Sequence, residues 1–201
     1  MFVYTNDYGS PTAIRLALDR PDLFRGIVSQ SGNAYVEGLV PSFWDSLRGY
    51  WASEPGSKEY DEFRRKIAAN VLTLEATQWQ YTHGVPSERS DLIDPLLAWT
   101  DYTQNIKPEK QQELQLDLFY DYQTNLDLYP AFQAYLREST VRVFAIWGKN
   151  DEIFGPAGAE AYARDSKDAQ VRLLDGGHFL ALSHLEEVGA QMEVFLDSLE
   201  G

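Results

Sequence analysis

The stretch that decides the fold is FVYTNDYGSP, at residues 2–11. Its first three residues are apolar and β-prone, which predicts a strand that ends at a polar turn beginning with Thr5. The Ser-Pro pair at 10–11 then favours a helix, because serine can cap a helix and proline suits its first turn. The helical spacing stops at Pro21, and residues 26–30 predict a second strand. The chain therefore opens with a β-α-β unit whose strands are expected to be parallel.

A long segment after the second strand has a different character. Residues 36–136 contain helical apolar patterns, such as those at 43–51 and 60–74, and they are rich in aromatic side chains. Prolines divide the segment, and the last of them is Pro130. We therefore predict a helical insertion rather than a continuation of the sheet.

Strand patterns return near the C-terminus. Residues 141–148 form the best strand pattern in the chain, and 171–174 predict the last strand. A short helix is predicted at 156–164 between them, and 186–199 predict a closing amphipathic helix. The sequence therefore predicts an α/β fold whose mostly parallel sheet has flanking helices.

The composition excludes several classes of function. The absence of cysteine rules out disulfides, thiolate metal sites and cysteine catalysis. The chain has 31 acidic and 17 basic residues, and this net charge of −14 argues against binding to nucleic acid or to an anionic membrane. No apolar run approaches the ~20 residues of a membrane span, and the N-terminus lacks the features of a signal peptide. We expect a cytoplasmic protein without a metal or an organic cofactor, because the chain has no His/Cys cluster and no phosphate-binding glycine loop.

Three polar residues follow three of the predicted strands. Asp7 follows the first strand, Asp151 the third and His178 the fourth. The carboxyl ends of parallel strands share one edge of the sheet, where sites form in open α/β sheets. The order of the three residues is that of nucleophile, acid and histidine in α/β-hydrolases, with an aspartate in place of the serine. Thr5 and Gly9, two positions before and after Asp7, are small, as a nucleophile elbow requires.

On these motifs the chain resembles the Asp-nucleophile branch of the α/β-hydrolase superfamily, the epoxide hydrolases and haloalkane dehalogenases. The elbow of that branch reads H-D-W-G or H-D-Y-G, and residues 6–9 read NDYG. Its acid loop reads W-G-x-x-D, which WGKND matches at 147–151. Its histidine loop reads G-H-F, which is found at 177–179. The resemblance extends from the first strand to the last helix.

The resemblance implies hydrolysis at a saturated carbon through an ester of Asp7. A carboxylate nucleophile leaves an alkyl ester that water can cleave, whereas a serine would leave an ether. His178 would be the general base on water, and Asp151 would orient and stabilise its imidazolium. The backbone N–H of Tyr8, at the start of the helix, would be one oxyanion donor. Glu37, after the second strand, is the alternative acid, because some members of the family place their acid there.

Aromatic residues of the insertion are the candidates for contact with substrate. Tyr122 lies in a D-Y-Q run that resembles the D-Y-R pattern of the family, whose tyrosine faces the substrate. It would polarise an epoxide oxygen or contact a leaving group, or else be one of several buried aromatics. Trp44 is expected to line the pocket, and the core is the alternative for it and for Trp51 and Trp79. Tyr8 replaces the tryptophan that binds halide in many dehalogenases, which weakens the dehalogenase interpretation.

Two further motifs resemble catalytic motifs but are not assigned a catalytic role. HGVP at 83–86 spells the oxyanion motif of epoxide hydrolases, but it follows the elbow instead of preceding it, so we interpret it as a loop of the insertion. Ser31 follows a strand but lacks the glycine pattern of G-x-S-x-G, which disfavours a serine hydrolase centred on it. His184 is interpreted as a helix-start residue.

The elbow of the family follows its fifth strand, whereas this chain begins at that strand. The resemblance implies a core at 1–35, a helical cap at 36–136 and the rest of the core at 137–201, with roughly ninety residues of earlier strands absent. We expect the C-terminal part of an α/β-hydrolase core with a helical cap insertion, from an incomplete gene product whose activity belongs to the complete protein. Its first strand would expose an apolar edge.

Three functions stay open at this point. The first is hydrolysis of an epoxide or haloalkane-like small molecule. The second is a truncated, weakly active or inactive scaffold that binds a partner along its edge strand. The third is an esterase or lactonase of the same fold. Besides a small-molecule substrate, the expected partners are a second copy of the chain or the segment absent from its front.

Overall fold

The fold is built on a parallel sheet, seen in a computed structural model that describes residues 1–199. The strands are β1 (Phe2–Asn6), β2 (Gly26–Gln30), β3 (Arg142–Gly148) and β4 (Gln170–Leu174). They lie in the order β1-β2-β3-β4, and each neighbouring pair is parallel. The predicted fold class, a mostly parallel sheet with flanking helices, is confirmed.

Helices connect the strands and close the chain, since parallel pairing requires a crossover between strands. Their bounds are α1 (Gly9–Asp19), α2 (Pro41–Ala52), α3 (Lys58–Asn70), α4 (Leu74–Thr82), α5 (Pro95–Asp101), α6 (Glu109–Asp121), α7 (Gln123–Glu138), α8 (Pro156–Asp165), α9 (Leu180–Ser183) and α10 (Leu185–Asp197). Short 3₁₀ turns lie at Val36–Gly38 and Ser87–Leu92, and a π-helical turn lies at Tyr102–Ile106.

The two inner strands carry the core. Every residue of β2 is buried, and in β3 only Arg142 is partly exposed. Ile27 and Val143 belong to the larger hydrophobic cluster, whereas Val28 and Phe144 belong to a second cluster. Because successive side chains of a strand point to opposite faces, the sheet is covered on both sides. This explains why β3 is an almost continuous apolar run.

One predicted helix is divided in the structure. The pattern at 60–74 predicts a single helix, whereas α3 ends at Asn70 and α4 begins at Leu74. Thr73 caps the new helix, because its Oγ1 accepts a hydrogen bond from the Ala76 backbone N–H at 3.1 Å. The helical spacing of apolar residues continues across the break, so the sequence pattern does not reveal it.

Pro130 does not end a helix as the sequence pattern predicts. It lies inside α7, the longest helix of the described residues. Tyr129 and Phe132 on either side of it are buried in the main cluster. This packing holds α7 together despite the hydrogen bond that an internal proline removes.

The connection between β2 and β3 consists of α2–α7 and their turns, as the predicted helical insertion requires. Its separation as a cap at 36–136 stays a prediction, and the last two residues of the predicted core segment at 137–201 lie outside the described residues. Within the described residues, no helix is both long enough and apolar enough to cross a membrane.

Candidate active site

Asp7 lies on a tight turn between β1 and α1. Its φ of 49° is in the left-handed region, which is unusual for a residue with a side chain. The Ser10 N–H donates to the Asp7 carbonyl at 3.0 Å and closes the turn. A Cβ placed on Gly9 would lie 4.0 Å from the Thr5 Cβ, so the strand and the helix approach each other closely. This is the geometry of a nucleophile elbow, which presents a side chain at the end of a strand.

Asp7, His178 and Asp151 form one hydrogen-bonded row at the carboxyl edge of the sheet. His178 Nε2 lies 3.1 Å from Asp7 Oδ2, and His178 Nδ1 lies 3.0 Å from Asp151 Oδ2. The histidine and Asp151 are buried, whereas the Asp7 side chain is 29% exposed. The structure therefore brings together the three residues predicted to be catalytic, with Asp7 at the open end of the row.

Asp151 is held rigidly behind the histidine. Its Oδ1 accepts hydrogen bonds from the backbone N–H groups of Ile153 and Phe154, at 2.8 and 3.0 Å. Its Oδ2 accepts a third, at 2.8 Å, from the hydroxyl of Ser31. These bonds leave Asp151 in one orientation, with the oxygen Oδ2 directed at His178.

Ser31 is a supporting residue that the sequence interpretation missed. It is fully buried, its φ is 48°, and its hydroxyl contacts the carboxylate of Asp151 and the backbone carbonyl of His178. None of its hydrogen bonds within the described residues reaches the imidazole ring. Ser31 and Asp151 are 120 positions apart, so no local sequence signal points to this contact.

Two carboxylates control the charge of His178. Burial by itself would lower the pKa of the imidazole, because a buried site disfavours the charged form. The charges and hydrogen bonds of Asp151 and Asp7 outweigh burial and raise the pKa of His178 from 6.5 to about 10. The imidazole is therefore protonated at neutral pH.

Tyr8 places two donors next to Asp7. Its backbone N–H precedes the first residue of α1 and has no backbone partner within residues 1–199. Its phenol is also buried without a hydrogen-bond partner in this part of the chain, as is Asp7 Oδ1. Burial, and then the charges of Asp7 and Asp121, raise the pKa of the Tyr8 phenol well above its usual value. The phenol therefore keeps its proton.

A cavity of about 200 Å³ opens at Asp7 and Tyr8. An apolar body fits between its walls, because these are mostly aromatic and aliphatic. The aromatic rings that line it besides Tyr8 are those of Phe43, Trp44, Phe119, Phe154 and Phe179. The described residues contain no group of three or more potential ligand side chains that could hold a metal ion.

The two candidates for substrate contact lie at different depths. Trp44 lines the cavity, and its Nε1–H donates to the Ile153 carbonyl at 2.7 Å. Tyr122 is buried behind the wall, where its ring meets the Tyr8 ring edge to face at 5.1 Å. Its hydroxyl lies 3.1 Å from the hydroxyl of Tyr129. Contact with substrate stays a prediction for both, and for Tyr122 it would require the wall to move.

The other candidates have structural partners. Glu37, the alternative acid, is paired with Arg164 at 2.6 Å, so Asp151 is the acid that contacts His178. His184 directly precedes the first residue of α10, as the sequence predicts.

The HGVP turn at 83–86 packs against the loops that follow β3 and β4. Gly84 has a φ of 75°, and its carbonyl accepts a 2.9 Å hydrogen bond from Asn150 Nδ2. His83 Nε2 lies 3.2 Å from a carboxylate oxygen of Glu152. A Cβ on Gly177 would lie 1.9 Å from the His83 carbonyl oxygen, so only glycine fits there. The turn lies in the helical insertion, as predicted, and it clamps the loop that carries the histidine.

Comparison with known proteins gives the family. Residues 3–185 match the family model described as the alpha/beta hydrolase fold. A protein of Saccharomyces cerevisiae, named an uncharacterized hydrolase, is 42% identical over 193 residues. The match covers 94% of this chain, and the chain spans 63% of the length of that relative.

Solved structures agree on the fold. A 2-hydroxy-6-oxo-6-phenylhexa-2,4-dienoate hydrolase from Rhodococcus has a TM-score of 0.68 at 13% identity, with 95% of this chain and 62% of the other covered. Potato epoxide hydrolase I has a TM-score of 0.67 at 15% identity, covering 98% and 70%. A thermophilic esterase from Thermogutta terrifontis has a TM-score of 0.63 at 17% identity, covering 100% and 66%. At such identities the likeness concerns the fold alone.

Proposed function

The chain belongs to the α/β-hydrolase fold family. On this basis we propose that it is a member of the Asp-nucleophile branch and hydrolyses an epoxide or a haloalkane-like small molecule. One observation carries the proposal. The side chain at the elbow is a carboxylate, Asp7, and its oxygen lies 3.1 Å from His178 Nε2. A carboxylate in this position forms an ester that water can cleave after attack at a saturated carbon.

In the first step, a carboxylate oxygen of Asp7 forms a bond to the substrate carbon. The carbon–oxygen bond of an epoxide, or the carbon–halogen bond of a halide, breaks at the same time. An opened epoxide takes up the proton that His178 releases, whereas a halide departs as an anion and the proton passes to solvent. The enzyme is then an alkyl ester with a neutral imidazole.

The loss of the negative charge of Asp7 on esterification prepares His178 to act as a base in the second step. The carboxylate of Asp7 is one of the two that raise the pKa of His178 to about 10. Esterification removes that negative charge, so the pKa of the imidazole falls and the ring gives up its proton. A neutral imidazole held by Asp151 is the form that accepts a proton from water.

In the second step, water adds to the ester carbonyl while His178 takes its proton. The bond between the carbonyl carbon and the alkyl oxygen then breaks, and the alkyl oxygen takes the remaining proton of the added water. The alcohol leaves and Asp7 is restored as a carboxylate. The backbone N–H of Tyr8 is the proposed donor to the oxyanion that forms on the carbonyl oxygen. The cycle ends with the imidazolium between two carboxylates, as it began.

A serine hydrolase is the second candidate, because solved structures of an esterase and of a serine hydrolase share the fold. The contacts of Ser31 weigh against it. The hydroxyl is fully buried and donates to Asp151, and Ser31 does not line the cavity that Asp7 opens into. An esterase that uses Asp7 instead would transfer the acyl group to a carboxylate and form an anhydride.

The test is a single turnover in water enriched in oxygen-18, with styrene oxide and 1-chlorobutane as substrates. Attack of water on the ester places the label in the Asp7 carboxylate, which mass spectrometry of the peptide detects. A His178→Gln variant should accumulate the ester with 1-chlorobutane, because the departing chloride needs no proton from His178, and the intact mass should rise by one butyl group. Label found only in the product, with Asp7 unlabelled and no ester in the variant, would exclude the proposed mechanism.

Asp7→Asn is the matched control, because it keeps the shape of the side chain without the nucleophilic charge. It should show neither the label nor the adduct.

A further inference from the structure

A second cavity adjoins the one at Asp7. It measures about 470 Å³ and is lined by residues of α2, α3 and α4 and of the segment between α3 and α4. Phe43, Val71 and Gln80 line both cavities, so the two meet at these side chains. We name the cavity at Asp7 the inner chamber and the larger one the outer chamber.

All formal charges on the chamber walls are negative. Asp7 and Asp101 line the inner chamber, and Glu75 lines the outer one. Within the described residues, no lysine, arginine or histidine lines either chamber. The imidazolium of His178 offsets the charge of Asp7 from behind, but Asp101 and Glu75 form no ion pair in this part of the chain.

A local widening of the backbone brings Asp101 to the inner chamber. Asp101 ends α5, and the π-helical turn Tyr102–Ile106 follows it, closed by a 2.7 Å bond from the Lys107 N–H to the Tyr102 carbonyl. Asp101 and Ile106 both line the chamber. Residues five apart lie about 140° apart around an α-helix, so the wider turn is what places both on one wall.

The hydrogen bonds of Asp101 leave its charge uncompensated. Its Oδ1 accepts a 2.8 Å bond from Asn105 Nδ2, and its Oδ2 lies 3.4 Å from the Tyr81 hydroxyl. Both donors are neutral, since burial, and then the charge of Asp101, raise the pKa of Tyr81 to about 12. A carboxylate with only neutral partners still repels an anion and attracts a cation.

We propose that Asp101 and Glu75 select the substrate by charge: the two chambers admit molecules with an apolar body that are uncharged or cationic, and they reject those that carry a carboxylate. This inference rests on the proposed function, because it names the class of substrate for that reaction. A carboxylate entering the chambers would lose its water without meeting a cationic partner. A cationic group would be attracted by the charges of Asp101 and Glu75, and a hydroxyl group would find acceptors there.

Three matched styrene oxides test the selection. They carry a para-hydroxymethyl, a para-trimethylammoniomethyl or a para-carboxylate group, so they share the reacting carbon and differ in charge. We expect kcat/KM for the carboxylate to lie about tenfold or more below that of the hydroxymethyl compound. We expect the ammonium compound to equal or exceed the hydroxymethyl compound.

Three variants that each remove one negative charge distinguish the effect of the chamber carboxylates from the effect of the overall charge of the protein. In Asp101→Asn, the ratio of kcat/KM between the ammonium and carboxylate substrates should fall about tenfold. Glu75→Gln should lower it less, because Glu75 is exposed and solvent weakens its charge, although it lines the outer chamber. The control is Glu193→Gln, an exposed residue of α10, which should leave the ratio within about twofold because solvent screens its charge. A carboxylate substrate as good as the hydroxymethyl one, or an unchanged ratio in Asp101→Asn, would overturn the inference.

Calorimetry of the three corresponding diols tests selection by charge without requiring turnover. If no epoxide is turned over, the proposed function fails, and the diols still rank by charge if the inference is right. Equal affinity for all three diols, or no binding of any, would overturn the inference whatever the activity.

Discussion

His178 should make the stability of the protein depend on pH in a direction that can be stated in advance. The pKa of its imidazole is raised from 6.5 to about 10 in the folded state, where Asp7 and Asp151 hold the charged form. The folded state therefore retains a proton that the unfolded chain loses at lower pH. The stabilisation is fully present below about pH 6.5, and it is lost as the pH rises toward 10.

The size of the effect follows from the same difference. At about 1.4 kcal/mol for each pH unit, the interval between 6.5 and 10 corresponds to at most about 5 kcal/mol of unfolding free energy. Asp7 is 29% exposed, so water weakens its share. We expect a measured loss of roughly 2–3 kcal/mol between pH 6 and pH 10.

The assay is urea unfolding of the parent chain and of a His178→Gln variant across this pH range. Buried tyrosines also lower the stability near the upper end of this range in both proteins, because their pKa values are raised in the folded state and the unfolded chain loses these protons first. The difference between the two profiles therefore isolates the histidine. An Asp7→Asn variant should show an intermediate slope, because only Asp151 remains to hold the imidazolium. Profiles that stay parallel within about 0.5 kcal/mol would refute the assignment of an imidazolium at this position.

Three further outcomes are expected. Asp7→Gly should unfold about 1 kcal/mol less readily than Asp7→Ala in urea, because both lose the carboxylate and only glycine relieves the left-handed backbone at φ 49°; equal stability would count against strain at the elbow. Gly177→Ala should lower the unfolding free energy by roughly 1–3 kcal/mol, since its methyl group would meet the His83 carbonyl oxygen at 1.9 Å, whereas Gly189→Ala, with open space around it, should raise it by up to about 1 kcal/mol. Ser31→Ala should cost about 1 kcal/mol of stability through the lost bond to Asp151 and keep turnover of styrene oxide, and complete loss of turnover with the fold intact would point to a serine nucleophile.

The sequence was most informative where chemistry and topology coincide. Asp7, Asp151 and His178 each follow a strand, and parallel strands place their carboxyl ends together, so their meeting could be predicted. The predicted strand at 26–30 has the bounds of β2, because Pro21 and Asp22 mark the turn before it and Ser31 and Gly32 mark the turn after it. Local patterns were enough for these features.

Features that depend on packing between distant elements could not be predicted. The break between α3 and α4 depends on a cap at Thr73 that helical spacing conceals. The position of Tyr122 behind Tyr8 depends on how the helical insertion folds over the elbow. The same is true of the inner chamber, whose walls come from residues as far apart in the chain as Asp7 and Phe179.

The clamp between the HGVP turn and the histidine loop has a consequence for how such a protein can diversify. The helical insertion supplies both the chamber walls and this clamp, but the two tolerate change differently. Side chains such as Phe43 and Gln80 border open space and are free to vary with the substrate. Gly84 has no such freedom, because a Cβ there would lie 2.7 Å from the backbone oxygen of Asn150. A library built for new substrates should therefore randomise the chamber walls and leave the turn at 83–86 unchanged. Substitutions in that turn would displace the loop that carries His178 without reshaping the chambers.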